Sequence, residues 1–253
     1  MVLDLFRLDG KVAAITGPTR GIGYSIAIAL AEAGADVALL QRSQDQLDVK
    51  KAIEQLGRKC IIVPCDLKQL DDVKGAIPAV VSHFGKIDIL VNNAGIQRRS
   101  PAIDFSESDW DDVTTVNLKA VWLLCQHAGR YMLQQGKGKI INMASLMSFQ
   151  GGIHVPAYAA AKGGVAQLTK ALSNEWAKHG INVNGIVPGY ISTDMNKNLI
   201  EDGARNHQIT ERIPAGRWGE PDDFKGTVVY LSSGASNYVH GHLLTVDGGW
   251  MGR

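Results

Sequence analysis

Lys11-Val-Ala-Ala-Ile-Thr16-Gly17-Pro-Thr-Arg-Gly21-Ile-Gly23 decides the fold. It opens with an apolar run bounded by Gly10 and Gly17, continues into a turn with glycine at 17, 21 and 23, and leads into the small-residue helical pattern Gly21–Ala33. A run that is apolar without alternation predicts a strand buried on both faces. Glycines in a strand-to-helix turn let backbone N–H groups approach a pyrophosphate, and the next helix points its positive end at the phosphates. The spacing here is G-x-x-x-G-x-G, not the G-x-G-x-x-G of the standard fingerprint. A glycine-rich turn alone is common, so its place between a first strand and a first helix carries the weight. Gly17, Thr19, Arg20, Gly21, Ile22 and Gly23 are the candidate phosphate-loop residues.

Working outward, the same alternation repeats. Asp36–Gln41, Cys60–Pro64, Ile87–Val91, Lys139–Ala144, Ile181–Val187 and Leu243–Val246 read as further strands. Gln44–Leu56, Asp109–Gln135 and Tyr158–His179 read as helices among those between them. Strands alternating with helices wind by right-handed crossovers into a three-layer α/β fold with a parallel sheet. No linker, repeat or low-complexity stretch divides residues 1–253, so one dinucleotide-binding domain is expected. Asn196–Gly219 breaks the alternation, being polar and irregular, and the region 190–219 is expected to be a mobile substrate loop.

Composition excludes several classes. The 253 residues are 45% hydrophobic and 20% charged, with a net charge of +1. Clustered Lys and Arg of the kind that grips nucleic acid is lacking. There is no apolar leader and no run of about 18 apolar residues, so neither export nor a membrane span is expected and the cytoplasm is the expected compartment. Cys60, Cys65 and Cys125 are odd in number and fit no zinc spacing; they read as buried, reduced thiols, and no metal site is expected.

Strand ends supply the remaining cofactor candidates. The second strand ends Leu40-Gln41-Arg42. An acid at this point would accept hydrogen bonds from adenine ribose hydroxyls, whereas an arginine accommodates a 2′-phosphate. Gln41 and Arg42, with help from Arg20, therefore favour NADP(H), NAD(H) being the alternative; the competing reading of Arg42 is a solvated loop residue. Asp66 and Leu67 follow the third strand, and Asn92-Asn93-Ala94-Gly95 the fourth, both at strand C-termini where open α/β sheets bind ligands. Asp66 also reads as a helix cap.

Tyr158 and Lys162 lie four apart on one helix face. Free tyrosine, at a pKa of about 10, is a poor base near neutrality. A neighbouring ammonium is expected to lower it, so that Tyr158 exchanges a proton with an alcohol or carbonyl while a nicotinamide handles the hydride. Ser145, just past a strand end, is placed to polarise a carbonyl; Ser148 is its rival. Asn117, a polar amide inside a helical segment, needs partners, and a water relay to Lys162 would supply them.

Together these residues, with Pro188-Gly189, resemble the short-chain dehydrogenase/reductase family, and the resemblance covers essentially the whole chain. It implies a single Rossmann-like domain with a seven-stranded parallel sheet, and an Asn–Ser–Tyr–Lys tetrad on Asn117, Ser145, Tyr158 and Lys162. Asn93, Ala94, Gly95, Tyr158, Lys162, Pro188, Gly189, Ile191 and Thr193 would join the cofactor contacts, with Lys162 on the nicotinamide ribose and Thr193 on the carboxamide. It also implies a homotetramer, with the Asp109–Gln135 and Tyr158–His179 helices across one interface and Gly248–Arg253 across another. Trp122, Leu123 and Trp176 would supply apolar contact there or pack in the core.

The segments Ser145–Pro156, Asn174–His179, Arg212–Gly219 and Val246–Trp250 are similar to those of sugar-acid 5-dehydrogenases of that family, which act on gluconate or 2-dehydro-3-deoxygluconate. Arg98 and Arg99 would hold a substrate carboxylate, or else form surface salt bridges. Gln150 and His154, in the loop before Tyr158, would bond sugar hydroxyls; His154 stands where those members carry an arginine. Those relatives look NAD-linked, against the local reading of Gln41, Arg42 and Arg20. Another ketose, polyol or uronate-derived keto acid is the alternative substrate. A non-catalytic NAD(P)-binding sensor or scaffold is the alternative of a different class, disfavoured because both Tyr158 and Lys162 are present.

Overall fold

The structure is a computed structural model that describes residues 1–253. Its strands are β1 (Val12–Thr16), β2 (Asp36–Gln41), β3 (Cys60–Pro64), β4 (Ile89–Asn92), β5 (Gly138–Met143), β6 (Ile181–Pro188) and β7 (Leu243–Val246). They form one seven-stranded sheet in the order β3-β2-β1-β4-β5-β6-β7, and every pairing is parallel. The chain moves outward from β1 to β3, then returns to place β4 on the other side of β1. The crevice of an open α/β sheet lies at this reversal.

The helices are α1 (Gly21–Glu32), α2 (Asp48–Gln55), α3 (Leu70–Phe84), α4 (Glu107–Thr114), α5 (Ala120–Gln135), α6 (Pro156–Trp176), α7 (Lys197–Glu201), α8 (Gly203–Arg212) and α9 (Lys225–Ser232). Alternate residues of each strand serve opposite layers. Val12 and Ala14 of β1 pack with Val73 and Ile77 of α3 and Leu124 of α5. Ala13 and Ile15 pack with Ile26 and Leu30 of α1 and Val228 of α9. Because both layers are apolar, β1 is buried at every position, which is why its sequence shows no alternation. A third, smaller core caps the C-terminal end of the sheet and joins Ala144, Leu146, Val187, Ile209, Ile213 and Trp250.

The structure corrects several expectations. Asp109–Gln135 is not one helix: a π-helical turn, Thr115–Lys119, separates α4 from α5. The region 196–219 is not irregular, since it holds α7 and α8; Asp202 caps α8 by accepting from Ala204 N and Arg205 N. Helices this polar carry too few apolar residues to stand out from loop in sequence. α2 is shorter than Gln44–Leu56, and the strand expected over Ile87–Val91 runs Ile89–Asn92. α6 starts earlier than Tyr158, with Pro156 at its first position, where a missing N–H costs nothing. Leu123 and Trp176 are core residues, Trp176 lying so close to Gly129 that a Cβ there would sit 2.7 Å from its ring. Trp122 stays 41% exposed. No helix is long and apolar enough to cross a membrane.

Candidate active site

The glycine turn after β1 is bolted to the turn after β4. The Thr16 hydroxyl accepts from the Asn93 and Ala94 N–H groups, each at 3.0 Å. The Asn93 side chain donates to the carbonyls of Thr16 at 3.0 Å and Gly17 at 3.1 Å. Space here admits only glycine: a Cβ on Gly23 would lie 2.1 Å from Gly17 O. Gly17 and Gly21 both hold positive φ, at 63° and 55°, a region other residues adopt at a cost. The start of α1 therefore faces the crevice with open backbone N–H groups, the arrangement a pyrophosphate requires. Thr193 closes this side, its Cγ2 lying 3.4 Å from the Cβ position of Gly21. Gly189 donates to the Val246 carbonyl at 3.0 Å, and Ile191 is buried. The phosphate loop, Asn93–Gly95 and Thr193 are thus brought together.

The adenine end is less uniform. Arg42 is exposed with no carboxylate in salt-bridge range. Gln41 is buried, and its Nε2 donates to Ser43 O at 2.7 Å and Gln46 O at 3.0 Å. The amide shapes the loop that carries Arg42, and its Oε1 is buried without a hydrogen-bond partner. Arg20 is paired with Asp194 at 3.0 Å, a partner far off in sequence, so its charge is shared rather than free. Asp66 caps its own turn, accepting from Lys68 N at 3.0 Å, and the Leu67 side chain belongs to the core.

The tetrad candidates converge near Gly95. Asn117 sits in the π-helical turn, fully buried. Its amide is matched on both sides by one residue: Ile96 N donates to Oδ1 at 2.9 Å, and Nδ2 donates to Ile96 O at 2.8 Å. The partners of Asn117 are therefore first the backbone of the Asn92–Gln97 segment, where the sequence suggested water. A Cβ on Gly95 would lie 3.3 Å from Asn117 Oδ1 and 4.0 Å from Lys162 Nζ, so both side chains lie beside that glycine. Lys162 is buried, donates to the Met143 carbonyl, and lies 5.7 Å from the centroid of the Tyr158 ring. Burial pulls its pKa down to about 8.

Tyr158 departs from expectation. Burial raises its pKa; a Ser145 hydroxyl contact and the positive field of Arg99 oppose the rise. The lowering cation in this conformation is thus Arg99 rather than Lys162. Ser148 is no rival to Ser145: its hydroxyl donates to the Lys162 carbonyl at 2.8 Å, pinning the loop to α6.

The two arginines after the Asn-Asn-Ala-Gly turn separate. Arg98 is held by Asp109 at 3.2 Å and Asp112 at 3.6 Å, so the salt-bridge reading holds for it. Arg99 is exposed, near Tyr158, and has no acidic partner in salt-bridge range. Gln150 Oε1 accepts from Trp250 Nε1 at 3.1 Å. His154 is the one non-glycine residue at positive φ, 63°, and its carbonyl accepts from Ser100 N at 3.1 Å, tying its loop to the arginine segment. Sequence reasoning missed three contributors: the Met143 carbonyl, the Ile96 backbone and Trp250. Backbone acceptors leave no mark in side-chain identity.

The cysteines are free and buried, their thiols pushed up to about 12 mainly by burial. No cluster of His, Cys, Asp or Glu fit for a metal exists.

A glycine-cradled dinucleotide crevice beside a Tyr–Lys–Ser group defines a nicotinamide-dependent oxidoreductase. The chain belongs to the short-chain dehydrogenase/reductase family: the family model described as enoyl-(acyl carrier protein) reductase matches residues 17–251. The 2-dehydro-3-deoxy-D-gluconate 5-dehydrogenase of Bacillus subtilis (strain 168) is 51% identical, across 99% of this chain and 98% of its own. That of Escherichia coli (strain K12) is 47% identical across the whole of both. A solved gluconate 5-dehydrogenase from Burkholderia cenocepacia J2315, in complex with NADP and tartrate, superposes with a TM-score of 0.96 at 41% identity over the full length of both chains.

Proposed function

We propose that this chain interconverts a secondary alcohol and a ketone on a small sugar acid of the gluconate or 2-dehydro-3-deoxygluconate type, with NADP(H) as the favoured cofactor. One observation carries the reading: Tyr158 is hydrogen-bonded by the Ser145 hydroxyl and lies within the field of Arg99, a cation with no acidic partner. A hydroxyl that can polarise a carbonyl, a proton carrier and a cation that can anchor a carboxylate then lie near one another. The relatives named above support the substrate class, and the NADP held by the Burkholderia enzyme supports the cofactor.

When bound, NADP(H) supplies or accepts the hydride. The residues do the rest. Gly17 to Gly23, Asn93, Ala94, Gly95 and Thr193 hold the dinucleotide, and Arg42 holds the 2′-phosphate. Ser145 Oγ orients the reacting oxygen. Tyr158 Oη gives that oxygen a proton in reduction and takes one in oxidation. Lys162 Nζ would hold the nicotinamide ribose. Asn117 fixes the Ile96 backbone and, through it, the floor beside Gly95. Arg99 anchors the carboxylate; Gln150 and His154 face the sugar hydroxyls. We infer one domain over residues 1–253, a cytoplasmic location in keeping with three reduced thiols, and a homotetramer.

The test is absorbance at the nicotinamide band, with both cofactors, against gluconate, 2-dehydro-3-deoxygluconate and related ketones. Turnover is expected with NADP(H) on a sugar acid. Tyr158→Phe should lose at least about a hundredfold in kcat while still binding NADPH. Near-normal turnover in that variant would sink the mechanism.

A further inference from the structure

The C-terminal segment is built tightly against the base of α8. Gly248 and Gly249 hold positive φ, at 65° and 92°. A Cβ on Gly248 would lie 2.8 Å from Ile213 Cγ2, and one on Gly249 would lie 3.0 Å from Pro214 Cγ. Ala215 N donates to the Gly248 carbonyl at 2.9 Å. Both Asp247 carboxylate oxygens accept from the turn that follows, from Gly249 N and Met251 N, each at 2.8 Å. This frame delivers Trp250 into the third core, where it is 5% exposed.

Three separate segments meet on that one indole. The Arg212 guanidinium, from the last turn of α8, lies 4.0 Å from the ring centroid, within cation–π range. Tyr190, just after β6, packs with its ring centroid 4.6 Å away. Gln150, from the loop between Ser145 and Tyr158, accepts the indole N–H at 3.1 Å. An indole nitrogen donates and never accepts. The side-chain oxygen of Gln150 must therefore face Trp250, and its two amide hydrogens are left for other partners; none in this chain takes them.

We propose that Trp250 is a positioning residue that sets the polarity of Gln150, making it a donor-only contact for a substrate oxygen. The role rests on the sugar-acid reading above. A donor-only amide selects for acceptor oxygens, the lone pairs of carboxylate, carbonyl and hydroxyl groups in which a sugar acid is rich. Without the indole, the amide turns freely and half of its orientations present an oxygen to an oxygen. Because Arg212 covers the same ring, the seating of α8 and the orientation of Gln150 are coupled through Trp250.

Trp250→Phe keeps an aromatic ring in the core and removes the donor, together with part of the ring's volume; the Gln150→Leu background separates the two effects. Trp250→Phe should raise KM for the sugar acid about fivefold, the loss of one hydrogen bond of ordinary worth, with kcat changed less than twofold and KM for NADPH unchanged. Backbone hydrogen–deuterium exchange over residues 146–154 of the free protein should quicken. In a Gln150→Leu background, Trp250→Phe should add nothing further to KM. Unchanged exchange over 146–154 in Trp250→Phe, or additive effects of the two substitutions on KM, would overturn the proposal. If the wild-type protein turns over no sugar acid, the functional reading fails, and the exchange measurement alone decides whether Trp250 holds this loop.

Discussion

Arg42 stands at the end of β2 with its guanidinium exposed and no acidic partner, whereas Arg20 is committed to Asp194 at 3.0 Å. Two cations that look alike in the chain thus differ in what they can offer a phosphate. A charge-assisted contact contributes about 1.5–3 kcal/mol, or roughly tenfold to a hundredfold in affinity. Arg42→Ala should weaken NADP(H) by about that factor and leave NAD(H) nearly unchanged, as read by cofactor titration of intrinsic fluorescence. Equal loss for both cofactors would make Arg42 a loop residue. Gln41→Asp is a poorer probe than its position in sequence suggests. The buried amide of Gln41 donates to Ser43 O and Gln46 O, and a carboxylate there would place acceptor against acceptor and deform the loop itself.

At the scale of elements, the informative departure is the π-helical turn between α4 and α5. One extra residue in that turn rotates Asn117 inward, where its amide meets both polar groups of Ile96. Helical periodicity over Asp109–Gln135 was legible, but the break was not: an extra residue in one turn is set by what the side chain reaches, and Ile96 lies 21 positions away. Asn117→Ala would leave the partly buried N–H and C=O of Ile96 without this partner, at up to about 1–3 kcal/mol each. The variant should therefore melt several degrees lower by calorimetry, as well as lose activity. Asn117→Ala that keeps the wild-type melting temperature would show that Ile96 finds other partners and that the amide is not structural. The helices α7 and α8 teach the same lesson. Their sequence is so polar that few apolar residues mark a face, Ile209 being the one buried residue of the pair.

At the scale of the whole molecule, an apolar groove of about 350 Å³ runs between the π-helical turn, α5 and α6, lined by Thr114, Thr115, Leu118, Lys119, Trp122 and Leu168. Trp110 and Trp122 are both more than 40% exposed. An open tryptophan, Trp122, in the lining of such a groove is what an interaction face would show, and the family resemblance would place these helices between subunits. Light scattering at micromolar concentration should therefore give a mass near four times 27.2 kDa. Trp122→Arg should lower that mass, because it sets a charge into a face that must desolvate. A monomeric mass for the wild type would refute the tetramer.

Readable from the chain alone were the strand series, the glycine turn, the Tyr158–Lys162 spacing and the family they resemble. All of these are local: strand burial shows in a run of a few residues, turn strain in a glycine, and a shared helix face in a spacing of four. The tertiary structure decided which of two neighbouring arginines is free, by placing Asp109 and Asp112 beside Arg98 and no acid beside Arg99. It decided that Gln41 shapes a loop, that Arg20 is paired, and that the last residues of the chain hold the loop before Tyr158. A side chain's charge is written in the sequence, but its partner is chosen by how segments pack, 11 positions apart for Arg98 and Asp109 and 174 for Arg20 and Asp194, and no local pattern encodes that choice.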